Sequence, residues 1–164
     1  MAAVPLLLVR HAKAGNRKGW DGDDQLRPLT DAGWAQAKAL VDLLGGYRPK
    51  RLLSSPYVRC VQTLEPLGEV CQHPVEVIDA LAEGRSAKAL QFVTALVIDE
   101  IGKAEGGAVV LCTHGDIVPE VLRHLEEAHK VELGFDVRWA KGSTWVLEHD
   151  KGRFHKAMYV PPPA

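Results

Sequence analysis

Two stretches of the chain are apolar at every position: Leu6-Leu7-Leu8-Val9, led in by Val4-Pro5, and Ala108-Val109-Val110-Leu111-Cys112. Short runs without polar alternation are the pattern of strands buried on both faces. Other segments carry a helical period. Ala37, Leu40, Val41 and Leu44 share one face of a helix that Thr30 caps and Gly45-Gly46 ends. Lys50 to Ser54 predicts a second strand around Leu52 and Leu53, after which Ser55 caps the next helix with Pro56 in its first position. Pro66 is expected to end or kink that helix. Pro74 to Asp79 alternates as a third strand, and Ser86 opens a third helix with Leu90, Val93, Val97 and Ile101 on one stripe, closed by Gly102. A fourth helix follows the second apolar run, with Pro119 in its opening turn and Val118, Val121, Leu122 and Leu125 inward. Ser143 to Glu148 and Arg153 to Tyr159, joined by Asp150-Lys151-Gly152, read as a hairpin. Strands alternating with helices, without a linker or repeat, predict an α/β sheet fold and a single domain over residues 1–164.

Both apolar runs stop on polar groups. The first gives Arg10-His11-Ala12-Lys13 and the second Thr113-His114-Gly115-Asp116. Parallel strands deliver such ends to the carboxyl edge of the sheet, where open α/β folds bind ligands. Asn16 to Pro28 is too long for a minimal connection and reads as a functional loop over that edge. Val131 to Gly142 is a second loop, whose shape the pattern does not define.

Composition narrows the function classes. The chain is 46% hydrophobic and 25% charged with a net charge of −1, so no global field recruits a nucleic acid polymer or an anionic membrane. Any anion must be held by a local cluster. No apolar run approaches the ~20 residues of a membrane span, and Met1-Ala2-Ala3-Val4-Pro5 lacks the charged start of a secretory leader. Cys60, Cys71 and Cys112 are odd in number and read as reduced, buried thiols of a cytoplasmic protein. The pairs His124 and His129, and His149 and His155, lack a zinc spacing, and neither a Walker loop nor a Gly-x-Gly turn is present. No metal or cofactor is expected. Trp20 and Trp139, both in loops, are the aromatic residues expected nearest a substrate.

Arg10, His11 and His114 at strand ends, with Arg59 near the start of the second helix, form a constellation. Arginines stay charged and fork onto phosphate oxygens. Cations beside an imidazole favour its neutral, nucleophilic form. The set suits phosphoryl transfer through a phosphohistidine, with the second histidine, protonated, donating to the same oxygens. Glu83, on the loop after the third strand, is the expected acid for the leaving group and base for water. Asp21, Asp23 and Asp24 are expected to be solvated or to pair with Lys18 and Arg27. Lys13, Asn16 and Gly115 flank the histidine motifs and are expected to contact substrate. A non-catalytic module that binds phosphate or a phosphoprotein is the alternative of another class.

Leu8-Val9-Arg10-His11-Ala12-Lys13-Ala14-Gly15 resembles the Arg-His-Gly/Ala signature of the histidine phosphatase superfamily, the phosphoglycerate mutase-like proteins. Arg27-Pro28-Leu29-Thr30 with Gly33, Ser54-Ser55-Pro56-Tyr57-Val58-Arg59-Cys60-Val61-Gln62-Thr63, and Thr113-His114-Gly115 are similar to its remaining motifs, in its order. The resemblance implies a three-layer α/β/α fold with a mixed, mostly parallel sheet of about six strands, one of them antiparallel. It also implies that His11 is the phosphorylated nucleophile, that Arg10, Arg59 and His114 complete the phosphate pocket, and that no metal is required. Ala12 in place of glycine and the short chain resemble the SixA group, which acts on phosphohistidine in signalling domains, and Arg27 resembles a further phosphate-pocket arginine of that group. Residues 59–66, 112–119 and 141–147 look like actinobacterial proteins in which such a domain follows a MutT-type Nudix domain acting on oxidised guanine nucleotides. The implied partners are therefore a phosphorylated protein or a small phosphorylated metabolite or nucleotide.

Overall fold

A computed structural model describes residues 5–100, 107–150 and 152–163, without the side chains of 97–100. Its elements are β1 (Leu6–Arg10), α1 (Asp31–Gly45), β2 (Pro49–Ser54), α2 (Val58–Cys71), β3 (Val75–Val77), α3 (Ser86–Glu100), β4 (Ala108–Thr113), α4 (Val118–His129), β5 (Thr144–Asp150) and β6 (Arg153–Val160). The strands form one sheet in the order β3-β2-β4-β1-β5-β6. Pairings from β3 to β1 are parallel, while β5 runs antiparallel to both β1 and β6. This is the expected mixed sheet with one reversed strand.

The unbroken apolar run of β1 has a simple cause. Side chains alternate across a strand. Leu6 and Leu8 enter a core with Val93 of α3, Val121, Leu122 and Leu125 of α4, and Trp145 and Leu147 of β5. Leu7 and Val9 enter the opposite core with Leu40 and Leu44 of α1 and Leu64 and Leu67 of α2. Helices cover both faces, so no position of the strand faces water.

Several local expectations change. Ser55 and Pro56 lie before α2, whose N-cap is Tyr57 without a side-chain cap bond. Ser55 Oγ instead accepts from Tyr57 N–H at 3.2 Å and turns toward His114. Pro66 does not end α2, which continues to Cys71. A proline inside a helix costs about 3 kcal/mol. Burying Leu64 and Leu67 fully, at roughly 1.5–3 kcal/mol each, offsets that cost. Thr30 caps α1 as expected, its Oγ1 accepting from Gly33 N–H at 3.1 Å. Gly45 ends α1, but the residue with left-handed backbone there is Arg48 rather than a glycine. The expected strand at Pro74 to Asp79 shortens to Val75–Val77, and the hairpin strands run on to Asp150 and Val160. Ile101 and Gly102, expected in α3 and at its end, lie outside the described residues.

Among the described residues no helix is long and apolar enough to cross a membrane. Cys60 and Cys112 are fully buried free thiols, and Cys71 is half-buried.

Candidate active site

Strand order brings the two histidines together. Arg10 pairs with Thr113 where β1 lies beside β4, and His11 N–H donates to Thr113 C=O at 3.0 Å. The next residue of each strand end is therefore a histidine at the same edge. Their rings meet edge to face with centroids 5.5 Å apart. On the other side of β4, Ser55 N–H donates to Cys112 C=O at 3.0 Å, which carries the chain into α2 and sets Arg59 in its first turn. The long loop folds back as expected: Gly15 N–H donates to Pro28 C=O and Thr30 N–H to Lys13 C=O. A side chain at Gly33 would bring its Cβ within 1.9 Å of the Lys13 carbonyl oxygen, so only glycine lets α1 start against this loop.

These segments enclose a cavity of about 680 Å³. Arg10, His11, Asn16, Arg27, Arg59, Glu83 and Gly115 of the expected set line it. Lys13 does not. Its side chain borders a neighbouring cavity, while its N–H donates to Gln36 Oε1 at 2.9 Å. Trp20 and Trp139 also lie outside the lining. Trp139 packs against the core, and its carbonyl accepts from Arg10 Nη1 at 2.9 Å.

The hydrogen bonds fix the state of His11. Its Nδ1 lies 2.8 Å from the Ala12 carbonyl oxygen. A carbonyl only accepts, so Nδ1 carries the proton and Nε2 keeps its lone pair. Burial pushes the His11 pKa down to about 3, with Arg59, Arg10 and Lys141 adding to the effect against the Ala12 bond. His11 is neutral at physiological pH. His114 is pushed down to about 3 as well, first by burial and then by His11 and Arg59. The expectation of a protonated second histidine therefore does not hold in the ligand-free pocket, because two desolvated imidazoles beside arginines repel a further proton.

His114 can still donate. Its Nε2 lies 2.8 Å from Ser55 Oγ, a hydroxyl that accepts from Tyr57 N–H and can either donate to this nitrogen or accept from it. With Ser55 as the donor, the His114 proton stands on Nδ1. His114 Nδ1, Arg10 Nε and Arg59 Nε are buried without a hydrogen-bond partner among the described residues. The Arg10 guanidinium packs on Gly115, where an added Cβ would lie 2.6 Å from Nη2 and 2.7 Å from Cζ.

Carboxylates hold the arginines from behind. Arg59, 1% exposed, donates to the Asp24 carbonyl at 2.9 Å, to Asp24 Oδ2 at 3.2 Å and to Glu83 Oε2 at 3.4 Å, and its Cζ lies 4.8 Å over the Tyr57 ring. Arg27 Nε meets Asp24 Oδ1 at 2.9 Å, and its Nη1 donates to the Gly15 carbonyl. Arg17 meets Glu83 at 3.0 Å and Asp24 at 3.6 Å. Desolvation opposes ionisation of Asp24, but the bond from Arg27 and the charges of Arg59, Arg27 and Arg17 outweigh it and hold its pKa below the usual carboxylate range. Asp24 thus pairs with Arg27 as expected and with two further arginines. The sequence reading did not single out Arg17, Asp116 or Lys141, which also line the cavity. Arg17 and Asp116 lie beside named motif residues; Lys141 comes from the loop without a readable pattern.

Among the described residues, no group of three or more His, Cys, Asp or Glu side chains converges as a cation site. His124 and His129 pack edge to face, with His129 against Phe154.

The model of the histidine phosphatase superfamily (branch 1) matches residues 6–89. A protein of Mycolicibacterium smegmatis named 8-oxo-(d)GTP phosphatase is 35% identical over 158 residues, 96% of this chain, and the chain spans 48% of that relative's length. Among solved structures, SixA of Agrobacterium tumefaciens is 26% identical over 98% of this chain and 99% of its own, with a TM-score of 0.71. The protein histidine phosphatase SixA complexed with tungstate is 20% identical over 96% of this chain and 94% of its own, with a TM-score of 0.72, and shares the fold. These matches place the chain: it belongs to the histidine phosphatase superfamily, branch 1.

Proposed function

We propose that the protein hydrolyses a phosphate monoester or phosphoramidate through a phosphohistidine on His11, without a metal ion, and that it is a SixA-like phosphohistidine phosphatase. The observation that carries this reading is the free lone pair of His11 Nε2, set by the Nδ1 bond to Ala12, in a cavity lined by Arg10, Arg27 and Arg59, with the His114 ring edge to face against His11. In the first half-reaction Nε2 attacks phosphorus, the P–O or P–N bond to the leaving group breaks, and Glu83 delivers a proton to that group. Arg10 and Arg59, with His114 behind them, stabilise the equatorial phosphoryl oxygens, whose charge is spread over them in transfer. Arg27 and Arg59, both held by Asp24, supply the positive charge, which supports the metal-independent reading. In the second half-reaction Glu83 takes a proton from water, water attacks phosphorus, and the P–N bond to His11 breaks to release phosphate. Arg27, Asn16 and Gly115 serve as substrate-binding residues around this centre.

A nucleotide phosphatase, with an oxidised guanine nucleotide among its candidates, is the second reading. The 35% identity to a protein named 8-oxo-(d)GTP phosphatase favours it. The two are separated by turnover with EDTA present on a phosphohistidine protein and on a panel of nucleoside phosphates. Acid-labile label is trapped on the wild type and on His11→Ala. Preference for phosphohistidine supports the SixA-like reading, and preference for a nucleotide supports the second. Absence of both label and turnover, with phosphate affinity kept, leaves a binding module and overturns the enzyme reading.

A further inference from the structure

Five cations line the reaction cavity, and Lys141 differs from the other four. Arg17, Arg27 and Arg59 are ion-paired with Asp24 or Glu83, and Arg10 donates to the Trp139 carbonyl. The Lys141 ammonium has neither an ion pair nor a side-chain hydrogen bond among the described residues. Its backbone is nevertheless fixed. Lys141 C=O accepts from Gln36 Nε2 at 3.2 Å, and Gly142 N–H donates to the carbonyls of Arg10 and His11 at 3.1 and 3.0 Å. The side chain therefore hangs from a rigid point tied to the nucleophile's own peptide.

The same lysine is a wall of a second cavity, of about 610 Å³. Ala32, Ala35 and Ala140 give that cavity an apolar surface, Pro162 and Pro163 close one side, and Lys13 lines it with Lys141. A partly desolvated cation held among Arg10, Arg27 and Arg59 is unfavourable where it stands, and these neighbours lower its pKa after desolvation does. In the proposed reaction the transferred phosphoryl group is served by Arg10, Arg59 and His114. Lys141 is surplus to one phosphoryl group. A compact ammonium on a flexible stem also suits an anion of less fixed position than the one the arginine forks hold.

We propose that Lys141 is a specificity-determining residue that binds a second acidic group on the leaving portion of a small-molecule substrate. The body of that substrate lies in the alanine- and proline-lined cavity while its phosphoryl group faces His11. This rests on the second, small-molecule reading of the His11 pocket rather than on the SixA-like one, and adds to it the substrate class: a phosphate ester or anhydride carrying a second acid.

The test is calorimetric titration with two non-hydrolysable probes, phenylphosphonate and 4-carboxyphenylphosphonate, which differ by one carboxylate. Wild type is expected to bind the carboxylated probe at least about tenfold tighter, the size of one charge-assisted hydrogen bond. Lys141→Met brings that ratio to about one, and Lys141→Arg keeps most of it. Equal binding of both probes by the wild type, or binding of neither, overturns the proposal. So does a Lys141→Met variant that weakens both in the same proportion, because the lysine then serves the transferred group. Binding needs no turnover, so this failure is distinct from failure of the phosphatase reading, which appears as absent label on His11.

Discussion

His11 and His114 meet with ring centroids 5.5 Å apart and planes at 65°; His124 and His129 meet at 5.3 Å and 67°. Geometry between the rings does not separate the two pairs. Their second nitrogens do. His11 Nδ1 donates to the Ala12 carbonyl, which leaves the Nε2 lone pair free in a cavity lined by Arg10, Arg27 and Arg59. His129 Nδ1 accepts from Phe154 N–H at 3.1 Å, so its lone pair is spent holding β6 and the ring proton sits on Nε2. Both members of the first pair are buried under arginines, while His124 and His129 are half-buried on α4 with Arg153 as the neighbouring charge. Two imidazoles in contact are thus a structural pair until a backbone acceptor sets the tautomer and fixed cations surround them.

That contrast is broken most severely at the nucleophile. His11→Ala is expected to lower kcat by about ten-thousandfold or more and abolish the acid-labile label, while inorganic phosphate still binds by calorimetry. Residual turnover within tenfold of wild type would show that the lone pair on Nε2 does no chemistry. Gly115→Ala comes next. The added Cβ displaces the Arg10 guanidinium, and kcat/KM should fall roughly 10- to 100-fold with little change in melting temperature. Asp24→Asn keeps the shape but removes one of the charges that hold Arg17, Arg27 and Arg59, and an increase in KM of about tenfold is expected in steady-state kinetics.

Acid titration sharpens the same comparison. His11 and His114 have folded pKa values of about 3 against an ordinary 6.5. The unfolded chain binds the additional protons, so stability present above pH 6.5 is lost as pH falls from there toward 3. Denaturant titrations at stepped pH should show that slope, and a His11→Ala/His114→Ala double variant should flatten it. His129, whose pKa is lowered by burial and by His124 and Arg153, adds a smaller loss in the same direction. The smallest effect is expected from His129→Ala, about 1 kcal/mol of stability from the bond to Phe154 N–H, with kcat/KM unchanged. A drop in turnover in that variant would join the two pairs functionally and undo the contrast.

The chain's local pattern displays much of this site. Both histidine motifs follow runs whose lack of alternation announces burial on both faces, and the cores on either side of β1 meet that expectation. Arg10, Arg59 and Gly115 are legible because they sit within one or two residues of a strand end or in the first turn of a helix. Lys13 shows the limit of adjacency: two residues beyond His11, its side chain has left the pocket. Pro66 shows another, since helix-breaking chemistry is local but the packing of Leu64 and Leu67 that overrides it is not. Asp24 was expected to pair with Arg27, three residues away, whereas its bond to Arg59 spans 35 positions and depends on how the loop folds.

Period, burial and the residue types at each segment's end were determined by the sequence alone, because these are properties of neighbours along the chain. Those properties decide that there are strands buried on both faces, that helices lie between them, and that cations and imidazoles stand at their carboxyl ends. Only the tertiary structure decided that β1 and β4 are adjacent, that the Ala12 carbonyl frees His11 Nε2, that Asp24 joins three arginines, and that Lys141 reaches the pocket. Each of these is a contact between distant or conformation-dependent atoms. Which of them forms is set by the packing of helices on both sheet faces, and no short stretch of sequence contains that information.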